Sequence, residues 1–176
     1  MILMNEIIKH YDLNLNLKPI KKYVLNEKKS TGLKNQNSNV GGYQSFAYKE
    51  WPKVLFDLKN YIQKQIPDQT FISLWYNING YDCYNKLHLH NVEEGYSGVF
   101  YIDVPDKDMG NLYFEDGTEY EPISNRLILF PTDLKHGVKS NQSNQKRISM
   151  SFNYLKNPNR EIKFQGHEFL KSGIKI

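Results

Sequence analysis

Apolar and polar positions along the chain fall into two textures that meet near residue 70. In the first, Val54, Leu55, Leu58, Ile62 and Ile66 recur at intervals of three and four, the stripe of an amphipathic helix. Lys53, Asp57, Lys59 and Lys64 lie off it. Pro52 suits a first helical turn and Pro67-Asp68 a stop, so the pattern predicts a buttressing helix over 50–66. Upstream, Leu13, Leu15 and Leu17 alternate with Asn14 and Asn16, the period of a half-buried strand. Residues 28–39 are polar and read as a loop, and Gly41-Gly42 as a turn.

Beyond residue 70 the pattern shortens to strand-length runs at 71–77, 87–91, 98–104, 111–114, 126–130, 137–139 and 147–154, with a further one at 162–164. Asn79-Gly80, Pro105-Asp106, Asp116-Gly117 and Ser124-Asn125 punctuate them. Many short strands without crossover helices predict a mainly β chain, a double-stranded β-helix or cupin-like jelly roll with the helix packed outside. The reading is one domain over 1–176, with the jelly-roll core at 70–155.

Candidate chemistry concentrates in Leu87-His88-Leu89-His90, which holds two of the five histidines. On a strand, His88 and His90 project to one face. Two imidazoles hold a metal ion when a third ligand joins them, and His136, after the apolar strand Leu127-Ile128-Leu129-Phe130, is the candidate. Arg147 follows, with Ser149 two residues on and on the same strand face. A guanidinium forks onto a carboxylate and a hydroxyl adds a hydrogen bond, so the joint pattern reads as three metal ligands and a clamp for an organic acid.

Composition narrows the classes. The formal charge of +4 is mild and spread along the chain, which fits a solvated lysine surface better than a nucleic-acid or membrane binder, although a nucleic-acid substrate stays open. The single cysteine, Cys83, forbids an intramolecular disulfide and fits a reducing compartment. No apolar run is long enough for a transmembrane helix, and Met1-Ile2-Leu3-Met4 is too short for a signal-peptide core. A soluble cytoplasmic protein is expected. Exposed jelly-roll edges offer a route to a homodimer. Trp75 reads as core, Cys83 as incidental, His10 and His167 as lacking ligand-type neighbours, and residues 115–119 as a solvated acidic hairpin tip.

Several segments carry a family resemblance: Gly42-Tyr43-Gln44-Ser45, Trp75-Tyr76-Asn77, His88-Leu89-His90, Ser97-Gly98-Val99-Phe100-Tyr101-Ile102 and Gly110-Asn111-Leu112-Tyr113-Phe114. To these are added Leu129-Phe130-Pro131, His136 and Arg147-Ile148-Ser149-Met150-Ser151-Phe152-Asn153. In order and spacing they resemble the iron(II)- and 2-oxoglutarate-dependent oxygenases, in particular a small group common in marine bacteria and phages. The resemblance implies an Fe(II) centre at His88, His90 and His136, with 2-oxoglutarate as cosubstrate. Arg147 and Ser149 would hold its distal carboxylate, Tyr101 matches a position that commonly adds a phenol hydrogen bond, and Asn77 is a further candidate for the same cosubstrate. The implied activity is oxidative decarboxylation to succinate coupled to hydroxylation of a substrate C–H, on a small molecule or a protein side chain.

The sequence departs from the family pattern at one position, where an acidic residue is usual and His90 stands. Three arrangements follow. His90 ligates; or Asp82, Glu93 or Glu94 supplies an oxygen in its place; or the position is left for halide or water. Metal affinity is expected to fall as protons compete for the imidazoles below about pH 6.5. Two other classes stay in view: a three-histidine dioxygenase that uses no oxoacid, and a non-enzymatic metal- or sugar-binding jelly roll. The Arg147-Ile148-Ser149 clamp argues against the first of these.

Overall fold

A computed structural model describes residues 7–31, 37–90 and 94–156. The elements run β1 (Lys9–Asp12), α1 (Leu17–Thr31), β2 (Asn39–Val40), β3 (Tyr43–Gln44), α2 (Phe56–Gln65), β4 (Thr70–Asn79), β5 (Tyr84–His88), β6 (Gly95–Asp103), β7 (Leu112–Phe114), β8 (Glu119–Tyr120), β9 (Arg126–Pro131), β10 (His136–Val138) and β11 (Arg147–Leu155). They form two antiparallel sheets. The larger has the order β1-β9-β6-β11-β4-β3 and the smaller β2-β5-β10-β7-β8. The chain is therefore the expected jelly roll, with helices against the outer face of the larger sheet.

Alternation along the strands explains the layering. Leu74, Tyr76 and Ile78 of β4, Phe100 and Ile102 of β6, Leu127 and Leu129 of β9, and Ile148, Met150 and Phe152 of β11 belong to one apolar cluster with the helices. Leu55, Leu58, Ile62 and Ile66 enter that cluster from the second helical segment. The opposite faces look between the sheets. There Val99, Tyr101, Leu112, Phe114, Ile128 and Phe130 make a second, smaller cluster with Ile8. The rest of the inter-sheet space, where polar side chains mix with apolar ones, forms the cleft described below.

Several expectations need correction. The helix expected over 50–66 begins as a 3-10 turn at Lys53–Leu55, and α2 proper is Phe56–Gln65. Residues 13–17 are not a strand. Leu13 to Asn16 form a linker, and Leu17 opens α1. Asn125 clamps that linker by accepting from Leu15 N at 3.1 Å and donating to Leu15 O at 3.1 Å. Asn16 Oδ1 then accepts from Lys18 N at 3.3 Å, the contact of a helix-capping side chain. Part of the expected loop, up to Thr31, is thus helix, and Asn39 lies in β2. The α1 stripe is short, with only Ile20 and Val24 buried, so lysines on both sides disguise it. The strand expected over 87–91 ends at His88. The expected strand at 162–164, His167 and Glu93 lie outside the described residues. Among the described residues no helix is long and apolar enough to cross a membrane.

Removing a buried side chain tests this layering. Leu58→Ala, at a position with no solvent exposure, is expected to lower stability by about 2–5 kcal/mol. Asn16→Ala should cost about 1 kcal/mol through the cap. Equilibrium urea unfolding reads both.

Candidate active site

The metal-ligand candidates meet through strand pairing. In the smaller sheet β10 runs antiparallel to β5 with His136 directly opposite His88. Forty-eight positions of sequence thereby collapse to adjacent rings, with centroids 4.5 Å apart. His90, two residues past the end of β5, folds back over the pair. Its ring lies 5.1 Å from that of His136, nearly parallel at 9°, and 5.1 Å from that of His88. One nitrogen from each ring lies within 4.8 Å of the others. His90 reaches the site without strand geometry, which the alternation argument had assumed.

The donor chemistry suits a transition metal. His88 Nδ1 lies 2.8 Å from Lys86 O, and His136 Nδ1 lies 2.8 Å from Leu134 O. A carbonyl only accepts, so each Nδ1 carries hydrogen and each Nε2 keeps its lone pair for a metal. Among the described residues no carboxylate joins the group. Glu94 pairs with Lys156 at 3.3 Å in an exposed position, and Asp82 is exposed and accepts from Ser140 Oγ at 2.7 Å.

Burial changes the proton chemistry of one of the three candidates. His136 is held down to about 3, chiefly by loss of solvation, with His88 adding repulsion and the Leu134 carbonyl opposing. The expected competition near pH 6.5 is therefore displaced for this residue.

Arg147 lies at the start of β11 and is 2% exposed. Its Nη1 donates to Met109 O and Gly110 O, both at 2.6 Å, while its Nε has no partner. Burial pulls it below its ordinary range, and no carboxylate pairs with it among the described residues. A guanidinium left in this state costs several kcal/mol unless an anion joins it. Gly110 has a φ of 85°, and a Cβ there would sit 2.1 Å from Lys139 O and 3.2 Å from Arg147 Nη1, so only glycine lets this turn close on the arginine. Tyr101, in the neighbouring β6, is buried with its hydroxyl unpartnered. Burial pushes its phenol up to about 12, against the lowering pull of Arg147 and Arg126, so it remains a neutral donor. Tyr101 pairs in register with Ser149, and both line the cleft with Arg147. The unpartnered Arg147 Nε and Tyr101 hydroxyl fit a carboxylate.

Asn77 is also in the cleft wall, but its side chain is engaged. It donates to Ser151 Oγ at 3.3 Å and accepts from Asn39 Nδ2 at 3.5 Å. That chain continues through Asn79 and Asn85 to Ser38 and ties the two sheets together. Sequence reasoning missed Asn39, Asn79 and Asn85, since one buried amide looks like any surface amide until its partners converge. It also misassigned Trp75. The indole is half-buried, lines the cleft and stacks on His90 at 5.7 Å and 24°. Cys83 is buried near the β4–β5 turn, with Sγ 3.5 Å from Tyr81 O.

Comparison with known proteins adds to this geometry. Residues 115–153 match the family described as "Putative 2OG-Fe(II) oxygenase". The fold resembles a viral collagen prolyl hydroxylase from Paramecium Bursaria Chlorella virus-1 in its 2OG complex (TM-score 0.65, 14% identity, 85% of this chain and 96% of that one). It also resembles a prolyl hydroxylase of Trichoplax adhaerens bound to a hypoxia inducible factor peptide (0.69, 16%, 85% and 83%). A third likeness is HygX from Streptomyces hygroscopicus with nickel, 2-oxoglutarate and hygromycin B (0.63, 10%, 84% and 82%). No curated protein sequence matches the chain. The structural likenesses establish the fold, and the segment matched by the family model contains His136, Arg147 and Ser149.

The displaced titration of His136 has a measurable consequence. The unfolded chain takes up a proton at this residue below about pH 6.5, while the folded chain does so only near 3. Stability present above pH 6.5 is thus lost on acidification toward 3, by about 1.4 kcal/mol per pH unit. Urea unfolding of metal-free protein at neutral and mildly acidic pH should show the loss, and His136→Phe should reduce it.

Proposed function

We propose that the cleft couples oxidative decarboxylation of 2-oxoglutarate to hydroxylation of a C–H bond, with His88, His90 and His136 as the Fe(II) ligands. Arg147, Tyr101 and Ser149 seat the distal carboxylate of the oxoacid, and Asn77 holds the wall beside it. The observation that carries the reading is Arg147, a buried guanidinium whose Nε has no partner, in the same cleft as three converging imidazoles. A plain metal-binding jelly roll has no use for such a charge, and neither does a three-histidine dioxygenase without an oxoacid.

Iron supplies the oxidising chemistry once bound. The protein contributes position and shielding. Carbonyl-anchored Nδ1 atoms hold His88 and His136 in one tautomer. The Met109 and Gly110 carbonyls aim the guanidinium without neutralising it. A neutral Tyr101 phenol offers a hydrogen-bond donor without adding a charge of its own. The proposed substrate is a small molecule or a protein side chain. Trp75, half-buried beside His90, supplies an apolar wall next to the metal where a substrate's hydrocarbon part would lie.

Anaerobic addition of Fe(II) and then 2-oxoglutarate should produce the weak visible charge-transfer band of the chelated complex. Tyr101→Phe removes only the hydroxyl and should weaken 2-oxoglutarate by about 10–100-fold, the value of a hydrogen bond to a charged group. Arg147→Ala should weaken it further. Fe(II) affinity should hold in both. Loss of iron together with the oxoacid in Tyr101→Phe would refute these roles, and equal binding of zinc with no band would favour a binding module.

A further inference from the structure

The three imidazoles are not held alike. His88 and His136 each face a backbone carbonyl at Nδ1, and a carbonyl has one polarity. His90 Nδ1 faces a side-chain amide instead, with Asn153 Nδ2 at 3.1 Å. Asn153 is 3% exposed and sits on β11, on the face that carries Arg147, Ser149 and Ser151 toward the cleft. The register against β4 shifts immediately after it. Its other end meets Ser97, which is 2% exposed and lies directly opposite in β6, with Ser97 Oγ donating to Asn153 Oδ1 at 2.8 Å.

The polarity of this relay matters. With Ser97 donating to Oδ1, the amide NH2 donates to His90 Nδ1, and the neutral ring then carries its hydrogen on Nε2. That tautomer has no Nε2 lone pair for a metal. Turning the amide by half a turn reverses every bond. His90 Nδ1–H donates to Oδ1, the NH2 donates to Ser97 Oγ, and Nε2 is released as a ligand atom. The ring stays neutral: one hydrogen leaves Nε2 and one arrives at Nδ1 by exchange with solvent. A carboxamide has nearly the same shape in both orientations, and a hydroxyl can donate or accept, so packing does not forbid either state.

We propose that Asn153, held by Ser97, is the positioning residue that decides whether His90 enters the metal's ligand set. His88 and His136 are then standing ligands and His90 a conditional one. This rests on the metal-centre reading above. It also answers, in this chain's own terms, how a site with histidine at the usual carboxylate position can offer two or three protein ligands.

The test uses Zn(II) as the probe and the ring nitrogens of 15N-labelled protein, observed by long-range proton–nitrogen correlation. In metal-free wild type, His88 and His136 should appear as Nδ1–H tautomers and His90 as Nε2–H. Zn(II) should convert His90 to Nδ1–H. In Asn153→Asp the carboxylate only accepts, so His90 should be Nδ1–H before metal is added. Asn153→Leu keeps the volume without the hydrogen bonds and should weaken Zn(II) by about 10–100-fold, the usual effect of losing a ligand's outer partner. The wild-type spectra need no variant to fold. Zn(II) binding with His90 resonances unmoved would overturn this inference while leaving the metal centre intact. Failure of Zn(II) to perturb His88 and His136 would overturn the metal centre itself.

Discussion

A positive charge buried without a counter-charge is the constraint around which this cleft is arranged. Arg147 is enclosed at the start of β11, with Nη1 tied to two carbonyls and Nε unpartnered. Water cannot reach it well enough to solvate it, and among the described residues no protein carboxylate does so. The surroundings make sense as a holder for an anion that arrives from outside. Gly110 adopts a conformation with positive φ so that its carbonyl can reach the guanidinium, and Tyr101 keeps its proton and presents an unused hydroxyl. A charge buried in this way costs folding stability that a bound anion would return, and this is the basis of the oxoacid role proposed for it.

The jelly roll supplies two environments inside one sandwich. Between β6, β9 and β7 the inter-sheet space is filled by Val99, Tyr101, Leu112, Phe114, Ile128 and Phe130. Beside it histidine, asparagine, serine and arginine enter the same space, with Trp75 and other apolar side chains completing the wall. The apolar half fixes the separation of the sheets. The polar half can then hold side chains apart at a set distance without collapsing on them. The asparagine chain from Asn77 through Asn39, Asn79 and Asn85 to Ser38 stiffens that half, because it spans both sheets. One buried acceptor in it, Asn39 Oδ1, has no partner, so the network contributes to geometry more than to stability.

The three imidazoles look equivalent but are held by partners of different chemistry. Carbonyl partners commit His88 and His136 to one tautomer. The amide partner of His90 makes no such commitment. Trp75 stacked on His90 restrains the ring plane but carries no information about the tautomer.

Much of the β architecture was legible in the chain, because strand alternation and turn residues are local signals. The strands of the larger sheet at 71–77, 98–104, 126–130 and 147–154 were each visible to within a few residues, as was the apolar stripe of α2. Histidine and arginine at 88, 90, 136 and 147 were legible as candidates because those residue types are scarce in the chain, and Ser149 because it stands two residues from Arg147 on the same strand face. Helix α1 was hidden by its short apolar stripe, and the short strands β1, β2, β3 and β8 by their length. Which side chains touch was not local at all. The pairing of His88 with His136, the folding back of His90, the Met109 and Gly110 carbonyls on Arg147 and the Ser97–Asn153 relay arise from strand register and sheet closure. Those depend on the whole core packing at once, so the chain alone determined the chemistry available and the tertiary structure decided which groups could use it.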